Sequence, residues 1–125
     1  MWELDVRLIE DWILGLSAED YDLVAAAFVL LRTDGPALGR PLVDTISNSQ
    51  LKNLKELRPG STGRSEMRIL FAFDPARKAI MLLAGDKSGQ WKKWYKKNIP
   101  IAEERYQIYL EQTYPNRRNG KGRQR

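Results

Sequence analysis

A change of hydrophobic period near the middle of the chain constrains its fold more than any other feature. Between residues 7 and 31 apolar side chains recur every three or four positions, whereas residues 65–73 alternate. A helix repeats its faces every 3.6 residues and a strand every two, so the two stretches demand different backbones. In the alternating stretch Met67, Ile69, Phe71 and Phe73 share one face, and Arg68, Leu70 and Ala72 share the other. Ala79-Ile80-Met81-Leu82-Leu83-Ala84 is apolar throughout, as a strand covered on both faces should be. Pro59-Gly60-Ser61-Thr62-Gly63 and Asp74-Pro75-Ala76-Arg77 are turn clusters between extended runs. With residues 53–58 as the first strand, these pieces make an antiparallel meander.

The helical part reads as a hairpin. Val6, Ile9, Ile13 and Leu16 place a first helix over about 7–15, after a short strand at 2–6. Ser17 is a suitable N-cap, and Glu19 and Asp20 favour the positive end of a second helix. That helix runs to about Leu31, and Gly35-Pro36 stops the pattern. Residues 35–51 read as loop, with a short extended piece at 42–46. A third helix is expected to begin near Ile99-Pro100, since proline is tolerated in a first turn. Residues 91–97 then form a basic loop ahead of it. The order is β-α-α-β-β-β-α, an α+β domain with a helical hairpin packed on a small antiparallel sheet. Residues 1–113 form this domain, and 114–125 read as a disordered basic tail.

Several function classes are disfavoured by composition. The chain has 125 residues and no cysteine, so disulfide frameworks and thiolate metal sites are out. No run of about 18 apolar residues offers a membrane span. The start, Met1-Trp2-Glu3-Leu4-Asp5, lacks the pattern of a signal peptide, so a cytoplasmic location is expected. There is no histidine, the usual acid/base near neutral pH and the commonest metal ligand. Any catalysis must therefore use Lys, Arg, Tyr, Asp or Glu, and neither a metal nor another cofactor is expected.

Charge is segregated along the chain. Residues 1–51 carry three basic side chains against nine acidic ones, while residues 52–97 carry twelve against four. Such polarity points to a face for a polyanion. Its candidates are Arg58, Arg64, Arg68, Lys87, Lys92, Lys93 and Lys96, which can hold phosphates, with Trp94 and Tyr95 able to stack on unpaired bases. Plainer roles compete for each. Arg58 has Glu56 and Glu66 as possible salt-bridge partners, and Trp91 and Trp94 are spaced to share a buried side.

Leu54-Lys55-Glu56-Leu57-Arg58, a glycine-bearing turn, and Met67-Arg68-Ile69-Leu70-Phe71-Ala72-Phe73 together resemble the pattern of the RelE/HigB toxin superfamily, nearest its phage-derived Gp49-like branch. Ile80-Met81-Leu82-Leu83-Ala84-Gly85 with the lysines after it is similar to that family's final strand. The resemblance covers residues 2–112. It implies the toxin of a type II toxin–antitoxin pair, an mRNA endonuclease acting in the ribosomal A site without metal. It also implies an antitoxin partner, often with a helix-turn-helix DNA-binding domain, that covers the basic face. Arg68 matches the arginine that stabilises the transition-state phosphate. Lys55 matches a proton-transfer lysine, Arg58 a phosphate or structural ligand, and Lys87 a basic residue after the last strand. Relatives place a His or Tyr late in the site; here Tyr95 or Trp94 would stand in, and a lysine is an alternative base. A non-catalytic RNA- or ribosome-binding protein on the same scaffold is the competing expectation.

Overall fold

In a computed structural model, residues 1–60, 63 and 65–115 are described. Arg64 and the tail residues 116–125 lie outside them. The chain runs β1 (Glu3–Asp5), a 3-10 turn (Arg7–Ile9), α1 (Glu10–Leu14), α2 (Ala18–Asp34), a second 3-10 turn (Gly35–Ala37), β2 (Val43–Thr45), β3 (Lys55–Leu57), β4 (Met67–Phe73), β5 (Lys78–Asp86) and α3 (Trp91–Thr113). Ser17 caps α2 as expected, its Oγ accepting a 3.1 Å bond from the Asp20 N–H. Gly35 ends α2 with a positive φ of 56°. A side chain there would also strike the indole of Trp2.

The five strands form one sheet in the order β1-β5-β4-β3-β2. β2 to β5 are antiparallel neighbours, but β1 runs parallel to β5, with Glu3 opposite Lys78. The sheet is therefore mixed, which corrects the purely antiparallel expectation. A parallel pair needs a long crossover, and the helical hairpin with the first three meander strands supplies it. Composition cannot reveal the direction of a three-residue strand.

A core lies on each face. Val24, Ala27 and Leu31 of α2 pack on Leu57, Met67, Ile69, Phe71 and Met81. On the other face Ile99, Ala102, Tyr106 and Tyr109 of α3 pack on Leu54, Leu70, Ala72, Ile80, Leu82 and Leu83. The register slips between Leu70 and Phe71, so Leu70 faces Leu83 while Phe71 faces Met81. This irregularity lets the consecutive Leu82 and Leu83 both serve the α3 core. The run at 79–84 has no polar position because a core covers each face of β5.

α3 begins at Trp91, more than two turns before the expected start, so residues 91–97 are helix and not loop. Pro100 sits inside it. An internal proline removes one hydrogen bond and costs about 3 kcal/mol. The apolar stripe outweighs this, because Trp94 and Tyr95 extend the Ile99, Ala102, Tyr106, Tyr109 face backwards. Polar contacts fix the helix: Glu103 accepts from Ser49 Oγ at 2.7 Å, and Arg105 donates to the Leu82 carbonyl at 2.7 Å. At its far end Tyr109 and Tyr114 both donate to Asp74 Oδ2, at 2.7 and 2.9 Å. Tyr114, expected to open the tail, is thus tied to the β4–β5 turn. Among the described residues no helix is long and apolar enough to cross a membrane.

Candidate functional site

The site grows from strand alternation. In β3 and the residues flanking it, Leu54 and Glu56 face α3, while Lys55 and Leu57 face the helical hairpin. In β4 the same rule sends Arg68 toward α3 with Leu70 and Ala72. Leu57 pairs with Ile69, so the register carries Arg58 to the level of Arg68. The result is a buried carboxylate between two guanidinium groups. Glu56 is only 1% exposed. Its Oε1 accepts from Arg58 Nε at 2.9 Å, and its Oε2 lies 3.9 Å from Arg68 Nε. The Tyr95 hydroxyl, brought in by the first turns of α3, donates to the same Oε2.

Each partner is itself constrained. Arg58 Nη2 reaches Asp44 of β2 at 3.2 Å. Arg68 is 16% exposed and donates through Nη1 to the Met67 carbonyl at 2.8 Å. Its Nε is buried with no hydrogen-bond partner. A carboxylate with nearby cations is the arrangement that makes such burial tolerable. Burial and the bond to Glu56 push the Tyr95 hydroxyl up to about 12, against a weaker opposing pull from Arg68. Tyr95 is therefore protonated near neutrality and acts as a donor. Burial alone would lower Arg58, but its bond to Glu56 and the charges of Glu56 and Asp44 raise it further.

Over this cluster lies a cleft of about 660 Å³ between the β2 edge and α3. Glu56, Arg58 and Tyr95 line it, and Trp91, Lys92 and Lys96 stand at its α3 side. Trp91 is 54% exposed, with Lys92 Nζ over its ring at 5.6 Å from the centroid. A second cleft of about 500 Å³ lies along the other flank of α3, lined by Lys87, Lys93, Trp94 and Lys97. Helix geometry makes this division, since residues 92 and 96 share one flank and 93 and 97 the next.

The structure therefore brings together some of the expected residues and separates others. Arg58, Tyr95, Lys92 and Lys96 line one cleft, and Arg68 adjoins it through Glu56 without being among the lining residues. Lys55 is turned to the opposite face, where its Nζ lies 3.4 Å from Thr45 Oγ1. Lys87 sits in the second cleft, 3.5 Å from Glu66 Oε1. Lys93 and Trp94 are on that flank too. Trp94 is half-buried and in edge-on contact with Tyr95, ring centroids 5.2 Å apart. It fills the space over Gly85, where an added Cβ would lie 2.8 Å from Trp94 Nε1. The plainer reading of Arg58, a salt bridge to Glu56, is what the structure contains. Sequence reasoning missed Glu56 as the hub. The available signal was the Glu-x-Arg spacing, which puts both side chains on one strand face.

An α+β domain with a carboxylate–arginine cluster under a basic, aromatic cleft defines the class of this protein. The family model of phage-derived Gp49-like proteins matches residues 11–107, and the chain belongs to that family. The resemblance drawn from the β3 and β4 motifs is borne out. Two proteins of Mycobacterium tuberculosis are similar to it. One, named "Putative toxin HigB2", is 56% identical over 123 residues, which is 96% of this chain and 61% of that protein. The other, named "Putative toxin HigB3", is 51% identical over 102 residues, 82% of this chain and 87% of that protein. The chain thus spans less than two thirds of the first relative.

Proposed function

We propose that this protein is the toxin of a type II toxin–antitoxin pair and cuts mRNA on the ribosome, in the A site, so inhibiting translation in the cytoplasm. The observation that carries the reading is the meeting of Arg58, Arg68 and Tyr95 around Glu56, beneath a cleft edged by Lys92 and Lys96. Lysines at the edge bind the RNA backbone as point charges, and Trp91 stacks on a base. Arg68 stabilises charge that develops on the phosphate. The 2′-oxygen bonds to phosphorus, the bond to the 5′-oxygen breaks, and the proton passes from one oxygen to the other. The products are a cyclic phosphate and a 5′-hydroxyl. Tyr95, protonated at neutral pH, gives its one O–H to Glu56, and Glu56 keeps Tyr95 and the two arginines in place. A cognate antitoxin, with a helix-turn-helix DNA-binding domain, is the regulating partner.

One observation favours the second reading, a protein that binds RNA or the ribosome without cutting. Both arginines already lie against Glu56, and Tyr95 is a poor proton acceptor. Purified protein with ribosomes programmed by a defined message separates the two. Cleavage products from the wild type, absent for Arg68→Ala and retained for Lys55→Ala, support the nuclease. Salt-sensitive binding with intact message supports the alternative.

A further inference from the structure

Exposed apolar side chains concentrate away from the basic cleft. Among the described residues, Leu14, Tyr21, Val29 and Leu30 of the helical hairpin and Leu8 of the 3-10 turn before it are large hydrophobic side chains left exposed, with Met1, Trp91 and Ile108 elsewhere. Leu14 is 81% exposed. Between β1, α1 and α2 runs a groove of about 750 Å³ whose floor includes Ile13, Val24 and Phe28. Glu3, Glu10 and Arg32 line its walls, Glu3 lying 3.9 Å from Lys78 Nζ, and exposed Asp11, Glu19 and Asp22 on the same two helices leave the surround acidic in balance. β1 also borders the groove, and among the described residues no strand pairs with its outer side.

We propose that this groove docks a basic, amphipathic helical segment of a partner protein. A groove with an apolar floor accepts the apolar stripe of such a helix, and acidic walls select lysines and arginines beside that stripe. Two other occupants fit less well. The chain's own basic residues 116–125 contain no apolar side chain, so they cannot cover the floor. A second copy would have to offer its basic α3 side to the acidic hairpin. That contact is head-to-tail and leads to open filaments unless its rotation closes. The groove and the Arg68 cluster sit on opposite faces of the sheet. The proposal therefore does not rest on RNA cleavage. It also places the partner's helix away from the basic cleft that the family resemblance would have covered.

The test is a selection from a library of helical peptides against the full chain, followed by titration of the enriched sequences. Enriched peptides should carry apolar residues at i, i+3 or i+4, and i+7, flanked by Lys and Arg. Their affinity should fall about tenfold or more for Leu14→Asp and for Glu10→Lys, and should weaken with salt. Leu14 is exposed enough that its substitution leaves the fold intact, which far-ultraviolet circular dichroism checks. Enrichment of acidic peptides, or affinities indifferent to both substitutions, overturns the proposal. So does sedimentation showing wild-type self-association that Leu14→Asp abolishes, since the occupant would then be a second copy.

Discussion

Replacing Glu56 by Gln tests whether the cluster is held by charge. The substitution keeps the shape and one acceptor for Tyr95, but removes the negative charge between two arginines. Breaking a buried pair from one side costs about 3–5 kcal/mol when the remaining charge is trapped. Arg58 escapes part of this, being 34% exposed and already 3.2 Å from Asp44. Arg68 does not, with 16% exposure and a buried Nε facing Glu56. The expected loss is therefore about 2–3 kcal/mol, at or just below the lower end of that range. Urea unfolding should register it as a midpoint lower by roughly 1 M or more, with the slope unchanged. Tyr95→Phe should cost about 1.5–3 kcal/mol by removing a hydrogen bond to a charged group. Because both act on one oxygen, the double variant should lose less than the sum. A Glu56→Gln loss under about 0.5 kcal/mol, or additivity within about 0.5 kcal/mol, would refute the hub.

Three further outcomes follow from the same geometry. Tyr95 has a folded-state value of about 12, above its ordinary 10.0, so its contribution to stability is complete below 10.0 and disappears as pH rises through 12; Tyr95→Phe should flatten that alkaline loss in pH-dependent unfolding. Asp74 is held below its ordinary value because bonds from Tyr109, the Lys78 and Ala76 N–H groups and Tyr114 outweigh the opposing effect of burial. Its contribution is present above the ordinary carboxylate range and fades as pH falls through the depressed value, and Asp74→Ala should cost about 2–4 kcal/mol in urea by orphaning those donors. Gly85→Ala should cost about 1–3 kcal/mol and shift tryptophan fluorescence, since the new methyl must displace Trp94.

Much of this fold was legible because its long elements have clean periods. The 17-residue α2 was bounded by Ser17 and Gly35-Pro36, and β4 alternated without exception. α3 was misread at its start because Pro100 is a strong local signal, while Trp94 and Tyr95 belong to its stripe only through contacts distant in sequence. The parallel pairing of β1 was hidden for the same reason: three residues carry no record of their neighbour's direction. At the site, local spacing put Arg58 and Arg68 together. Lys55 is marked by motif and not by face, and strand alternation turns it to the other side of the sheet, beside Thr45. In the sequence Glu56 reads only as a possible salt-bridge partner of Arg58; charged residues in a strand usually face water, and its burial comes from contacts distant in sequence, with Tyr95 of α3 and the arginines.

The proposed cleavage of translated mRNA, centred on Arg68, is read out by mapping mRNA 5′ ends in cells induced for the wild type, Arg68→Ala and Lys55→Ala. New 5′-hydroxyl ends are expected within translated regions for the wild type and for Lys55→Ala, and none for a folded Arg68→Ala. Unchanged 5′ ends with well-folded wild-type protein, or cuts that persist in Arg68→Ala, rule the proposed cleavage out.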